Sequence, residues 1–210
     1  MDPLLAWALG LILPEILGMG AARLAVGHGM GEAYSMGLAV AVISVSRLVV
    51  VALLAERLGV DLAGITYKPV PGGSQAIILL ALALATAVLD YIVSKWSNGG
   101  VYQPQLAEYR YYHMHGVVYM YPFQVAYYVT EVIALNLMYI TARNTWTILG
   151  DPIIAGLAFV IIFWALPHAL TKNLGVALYA SLLALVLYSG YEATGSPLTP
   201  LLLWLIVVLV

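Results

Sequence analysis

Gly27-His28-Gly29-Met30-Gly31-Glu32 lies inside a nearly continuous apolar run from Leu4 to Ala55, and how that run is divided decides the fold. A membrane-crossing helix needs about 20 residues, so the run is too long for one span. Gly18-Met19-Gly20 offers a break and Arg23 marks an interface, which places the expected turn at residues 19–23. The first span then covers about Leu4 to Gly18. The second starts near Leu24 and runs toward Ala55, with Gly59 as a stop. Ala21 and Ala22 are good helix formers and count against the break. On this division the hexapeptide is helical. His28 and Glu32, four positions apart, share one face, and the glycines between them let another backbone come close. Glu15 falls on an antiparallel neighbour at similar depth. On one uninterrupted helix it would stand about 20 Å from His28.

Of the 210 residues, 63% are hydrophobic and 9% charged, where a soluble domain carries about a quarter charged residues. The expected fold is therefore all-α: a polytopic transmembrane bundle of six to seven spans, with residues 1–210 as a single integral domain in the cell membrane. The net charge of −2 offers nothing to nucleic acid. The absence of cysteine excludes disulfides, thiolate zinc sites, iron–sulfur clusters and a Cys nucleophile. Met1-Asp2-Pro3 has no basic segment, so the first apolar run does not read as a cleaved signal peptide.

Further along, Pro69, Pro71 and Gly72-Gly73 mark a loop, and Ser74 caps a third span over about 75–94. The tyrosine-crowded stretch 105–128 suits the headgroup level over its first part, and a fourth span follows over about 117–142. Asp151-Pro152 starts a fifth span, which ends near Leu166-Pro167-His168. A sixth covers about Asn173 to Tyr188, and Leu198–Val210 is long enough for only part of a crossing. Traced through these spans, Glu15, His28, Glu32, Asp90, His113, His115 and His168 gather at one side of the bundle. Arg47 is expected to reach the interface or pair with a buried carboxylate such as Glu131, and Asp90 to sit at an interfacial helix end.

Ionisable groups at membrane depth are costly, so they point to a site facing the protein interior. A carboxylate and an imidazole in a partly dry cavity can do acid–base work on water, or hold a divalent metal such as zinc through His28, Glu32 and His168. The plainer reading is a helix-packing patch in which His28 and Glu32 bond each other.

The hexapeptide also resembles the second motif of the YhfC-type membrane peptidases. These are similar to the wider superfamily of CAAX prenyl endopeptidases and bacteriocin-processing enzymes, which includes the PrsW-type proteases and a non-catalytic subunit of gamma-secretase. By position Glu15 matches the family's first glutamate motif, His28 and Glu32 the second, and His168 a later His. The first motif departs from the double Glu followed by Arg that many relatives carry. In place of the Asn often found four residues after the last His stands Lys172. The resemblance implies a helical membrane fold and an endopeptidase in which Glu15, His28, Glu32 and His168 act on a peptide or membrane-protein substrate within the bilayer. Three rivals use the same residues, one of them a haem subunit with His28 and His168 as axial ligands. Another is a non-catalytic assembly subunit. The last is a proton- or ion-coupled transporter with Glu15, Glu32, Asp90 and Glu131 as a relay.

Overall fold

A computed structural model describes residues 3–58, 73–98, 104–171 and 174–209. Among the described residues every regular element is helical. In chain order the helices are α1 (Pro3–Gly27), α2 (Glu32–Leu58), α3 (Ser74–Asn98), α4 (Pro104–Met114), α5 (Tyr121–Thr145), α6 (Pro152–Val160), α7 (Pro167–Thr171), α8 (Leu174–Thr194) and α9 (Leu198–Leu209). A 3₁₀ turn over Val118–Met120 leads into α5, and a π-turn over Ile161–Ala165 joins α6 to α7. Five segments are long and apolar enough to cross a membrane: Leu9–Gly27, Glu32–Arg57, Val118–Thr145, Pro152–Leu170 and Leu174–Thr194. Two shorter apolar helices cover Ala76–Ile92 and Leu198–Val207. The loop expected at 59–72 and most of the connector around 99–103 lie outside the described residues.

The chain divides into two compact units. The first contains α1, α2, α4 and the opening part of α5. The second contains α3, the rest of α5 and α6 to α9.

The turn expected at 19–23 is not there. Helix α1 runs unbroken to Gly27, and the reversal occurs at residues 28–31, inside the hexapeptide itself. Local chemistry explains the shift. Gly18 faces α2, where an added Cβ would meet the Ile43 side chain and stand 2.8 Å from the Ala39 carbonyl. It is a point of close helix approach, with no break in the backbone. Ala21 and Ala22 then carry the helix on. The stop comes from Gly29, at φ +80°, a region open to glycine and costly for other residues. Met30 N donates to the Ala25 carbonyl at 3.0 Å and Gly29 N to Val26 at 2.9 Å, the paired bonds of a Schellman cap. Gly31 then opens α2, its carbonyl accepting from Ser35 N at 3.0 Å.

The resulting antiparallel hairpin of α1 and α2 fixes the register of the first unit. Gly10 meets Leu54 and Val50, Glu15 meets Arg47, and Gly18 meets Ile43.

In the second unit the expected start at Asp151-Pro152 holds. The Asp151 carboxylate accepts from Ile153 N at 2.8 Å and Ile154 N at 3.0 Å, with Pro152 at the first helical position. Pro167 then supplies no N–H and its ring pushes away the carbonyl four residues back. The preceding turn widens, and Leu166 N donates to Ile161 O at 2.8 Å.

Candidate functional site

The displaced hairpin rearranges the predicted site. Glu15 stands at the midpoint of α1, thirteen residues before His28, which is about 20 Å of helix rise. The expected sharing of one cavity rested on the turn at 19–23 and falls with it. His28 and Glu32 do not share a helical face either, because one closes α1 and the other opens α2. Both are exposed.

His28 is the last residue before the left-handed Gly29, and its Nδ1 lies 2.8 Å from the Leu24 carbonyl. A carbonyl can only accept, so Nδ1 carries a proton and donates it to Leu24 O. His115 repeats the device at the end of α4. Its Nδ1 is 2.8 Å from the Tyr111 carbonyl, and Gly116 follows at φ +70°. The same paired backbone bonds close this helix, Val117 N to Tyr112 O at 2.9 Å and Gly116 N to His113 O at 3.1 Å. A His-Gly pair at a helix end therefore occurs twice, and the sequence carries it openly as His28-Gly29 and His115-Gly116. His168, in the second unit, bonds the Trp164 carbonyl through Nδ1 at 2.8 Å and packs edge-on against the Trp164 ring. Glu32 occupies the first turn of α2, where a carboxylate complements the helix dipole. Among the described residues no group of three or more His, Asp or Glu side chains is placed to hold a metal.

Glu15 builds a different cluster. Arg47 Nη2 lies 2.5 Å from Glu15 Oε1, and Tyr127 OH donates to the same oxygen at 3.2 Å. The guanidinium carbon sits 4.7 Å from the centre of the Tyr127 ring, and Arg47 Nη1 donates to the Tyr127 carbonyl at 3.2 Å. Arg47 is 2% exposed and Glu15 39%. Three helices thus converge on one carboxylate, α1 and α2 near their middles and α5 in its second turn. The expected partner of Arg47 is a buried carboxylate such as Glu131; the structure pairs it with Glu15, whose side chain is 39% exposed. A lone Arg in the apolar stretch Ala33–Ala55 had to find such a partner, but the misplaced hairpin hid which one.

A second cluster in the first unit joins α4 to α5. Glu108 Oε1 accepts from Tyr128 OH at 2.7 Å and Gln124 Nε2 at 3.2 Å, and Gln124 Oε1 accepts from Tyr112 OH at 3.2 Å. Burial pushes the Tyr112 phenol up to about 12, with the Glu108 and Tyr111 charges adding to it, so it is a protonated donor at neutral pH. The tyrosine-rich stretch is therefore mixed. Tyr109 and Tyr119 are exposed as an interfacial belt would have them, while Tyr112 is fully buried core.

In the second unit Glu192 on α8 accepts from Tyr139 OH at 2.9 Å and pairs with Arg143 of α5 at 2.8 Å. Tyr139 stacks on Tyr188 with ring centres 4.1 Å apart. Asp90, expected at a helix end, is instead 3% exposed and accepts from Tyr179 OH of α8 at 2.9 Å. It sits well inside α3, whose helix continues to Asn98.

Comparison with protein-family models, with curated proteins and with solved structures gives no match.

Proposed function

We propose that the protein is a non-catalytic integral membrane subunit whose ionisable side chains hold its helices in register. One observation carries this reading. Glu15, Asp90 and Glu192 each accept a hydrogen bond from another helix of their own unit. Inside a bilayer such bonds replace the water a carboxylate would otherwise need, and they fix which helices meet. Counted with the five long helices, Ala76–Ile92 and Leu198–Val207 bring the bundle to seven membrane-embedded segments.

The endopeptidase reading draws support from the hexapeptide and from the open Nε2 atoms of His28 and His168. Against it, no carboxylate bonds either imidazole among the described residues, and Gly29 of the hexapeptide already has a local task in ending α1. The YhfC-type resemblance accommodates both readings, since its superfamily holds peptidases and a non-catalytic subunit alike.

The deciding experiment measures cleavage of a reporter membrane substrate together with a thermal melt in detergent. The wild type is expected to cleave nothing. Glu32→Gln should melt within about 0.5 kcal/mol of it, as exposed substitutions do. His28→Ala should melt slightly lower, because it loses the bond to the Leu24 carbonyl. Cleavage by the wild type that disappears in Glu32→Gln without a change in melt would overturn the proposal and restore Glu32 as a general base.

A further inference from the structure

Glu15, Glu192 and Asp90 all bond across helices, and the first two meet an arginine there, Arg47 and Arg143. Asp90 differs. It is 3% exposed, Tyr179 OH donates to its Oδ1 at 2.9 Å, and no Lys, Arg or His pairs with it among the described residues. The phenol supplies a hydrogen bond but no charge. A carboxylate so enclosed is costly without a positive partner.

The seam around it offers oxygen and no competing charge. Helix α3 packs against α8 and α9. Helix α9 carries no titratable side chain, and those of α8 are Tyr179, Tyr188, Tyr191 and Glu192. The last three stand at least about 13 Å of helix rise beyond Tyr179, and Glu192 is engaged by Arg143 and Tyr139. On α3 itself the adjacent Tyr91 is exposed. Leu82, Thr86 and Asp90 follow one another at single-turn spacing on one face of α3. Leu82 lies 3.5 Å from where a Cβ of Gly190 would stand, and Asp90 meets Tyr179, so this face is the one turned to α8. Thr86 falls between the two contacts and is fully buried. Its hydroxyl proton goes to the Leu82 carbonyl at 2.8 Å, which leaves the oxygen able to accept.

We propose that Asp90, with the Tyr179 and Thr86 oxygens of the α3–α8 seam, binds a monovalent cation, either a proton or Na⁺. One carboxylate balances one positive charge, whereas Ca²⁺ and Mg²⁺ ask for more oxygens and more charge. The site is independent of the assembly reading above and goes beyond it.

The test is infrared difference spectroscopy of the full-length protein in phosphatidylcholine nanodiscs at neutral pH. Wild type is compared with Asp90→Asn, in NaCl and in choline chloride. A carboxylic-acid C=O band present in both salts identifies a bound proton. Carboxylate bands that shift between the two salts identify Na⁺. Either result supports the proposal. With a proton bound, Tyr179→Phe should move the acid band to higher wavenumber, because the phenol no longer donates to it. With Na⁺ bound, Tyr179→Phe and Thr86→Val should each raise the NaCl needed for the shift about tenfold. If Asp90→Asn does not fold, wild type minus Tyr179→Phe decides, since loss of the phenol moves whichever Asp90 band is present. Carboxylate bands identical in the two salts overturn the proposal. So does an acid band that Tyr179→Phe leaves unmoved.

Discussion

Arg47 and Tyr127 both bond the same oxygen of Glu15, so one carboxylate atom ties together α1, α2 and α5. The cluster is unequal in its burial, with Arg47 at 2% and Glu15 at 39% exposure. The penalty for breaking it therefore falls on the guanidinium. Glu15→Ala should cost about 3 kcal/mol, the lower end for a broken buried pair, because a positive charge stays in the interior without its partner. The double variant Glu15→Leu with Arg47→Met should recover most of that loss, or exceed the wild type, since it removes both charges. Chemical denaturation in detergent for the single and double variants checks this. A double variant no better than Glu15→Ala would show that the pair is not the source of the loss.

The hexapeptide glycines should separate cleanly. Gly29 and Gly116 hold φ of +80° and +70°, so Gly29→Ala and Gly116→Ala should each cost about 1–2 kcal/mol. Gly27 and Gly31 have ordinary φ and nothing within 4 Å of an added Cβ, so their alanine variants should be neutral or slightly stabilising. Thermal melts of the four variants test this. Equal losses at all four positions would mean that the stretch is constrained by something besides the cap.

Gly18 should tolerate nothing larger. An added methyl meets Ile43 and the Ala39 carbonyl, and the carbonyl belongs to a helix backbone that cannot step aside cheaply. Gly18→Ala is expected to lower stability by about 1–3 kcal/mol. Gly20→Ala, on the same helix with open space around it, should leave the melt unchanged or raise it. The pair of variants distinguishes a packing contact from a general need for glycine in α1.

Tyr112 gives the fold an alkaline limit. The phenol ordinarily titrates near 10, and burial raises it to about 12 in the folded chain. Folding thus favours the protonated form. Its contribution is complete below about pH 10 and is lost as pH climbs toward and past 12. Tyr112→Phe should be less stable at neutral pH, having lost the bond to Gln124, yet its melt should fall less steeply between pH 10 and 12. The other buried tyrosines are common to both proteins and cancel in the difference. Parallel curves over that interval would rule out Tyr112 as a contributor.

What the sequence made legible was periodicity and composition: long apolar helices and the Asp151-Pro152 start. What it hid was the placement of one turn. Glycine marks both tight helix contacts and left-handed caps, and the string alone does not say which. Gly18 reads as a break and is a contact, while Gly29 reads as helical and is the cap. That exchange moved the hairpin by about two turns and carried Glu15 from the neighbourhood of His28 to that of Arg47. A cue is present, because His followed by Gly recurs at 115–116, just before the span expected over about 117–142. Asp90 was misplaced for a simpler reason. Nothing in its neighbours announces that Tyr179, 89 positions later, will supply the donor that lets it lie buried.

The wide turn at Ile161–Ala165 has a consequence for the reading frame of the chain itself. An α-helix advances about 100° per residue, and a turn closed between residues five apart stores one residue more than the α form. Side chains beyond it are therefore offset from the phase set by Pro152–Val160. His168 consequently points where a helix with one residue fewer would have put it. A chain lacking a single residue between Val160 and Pro167 could present both flanking surfaces on unbroken α-helix. Any alignment across this segment should thus accept a one-residue gap without moving either surface.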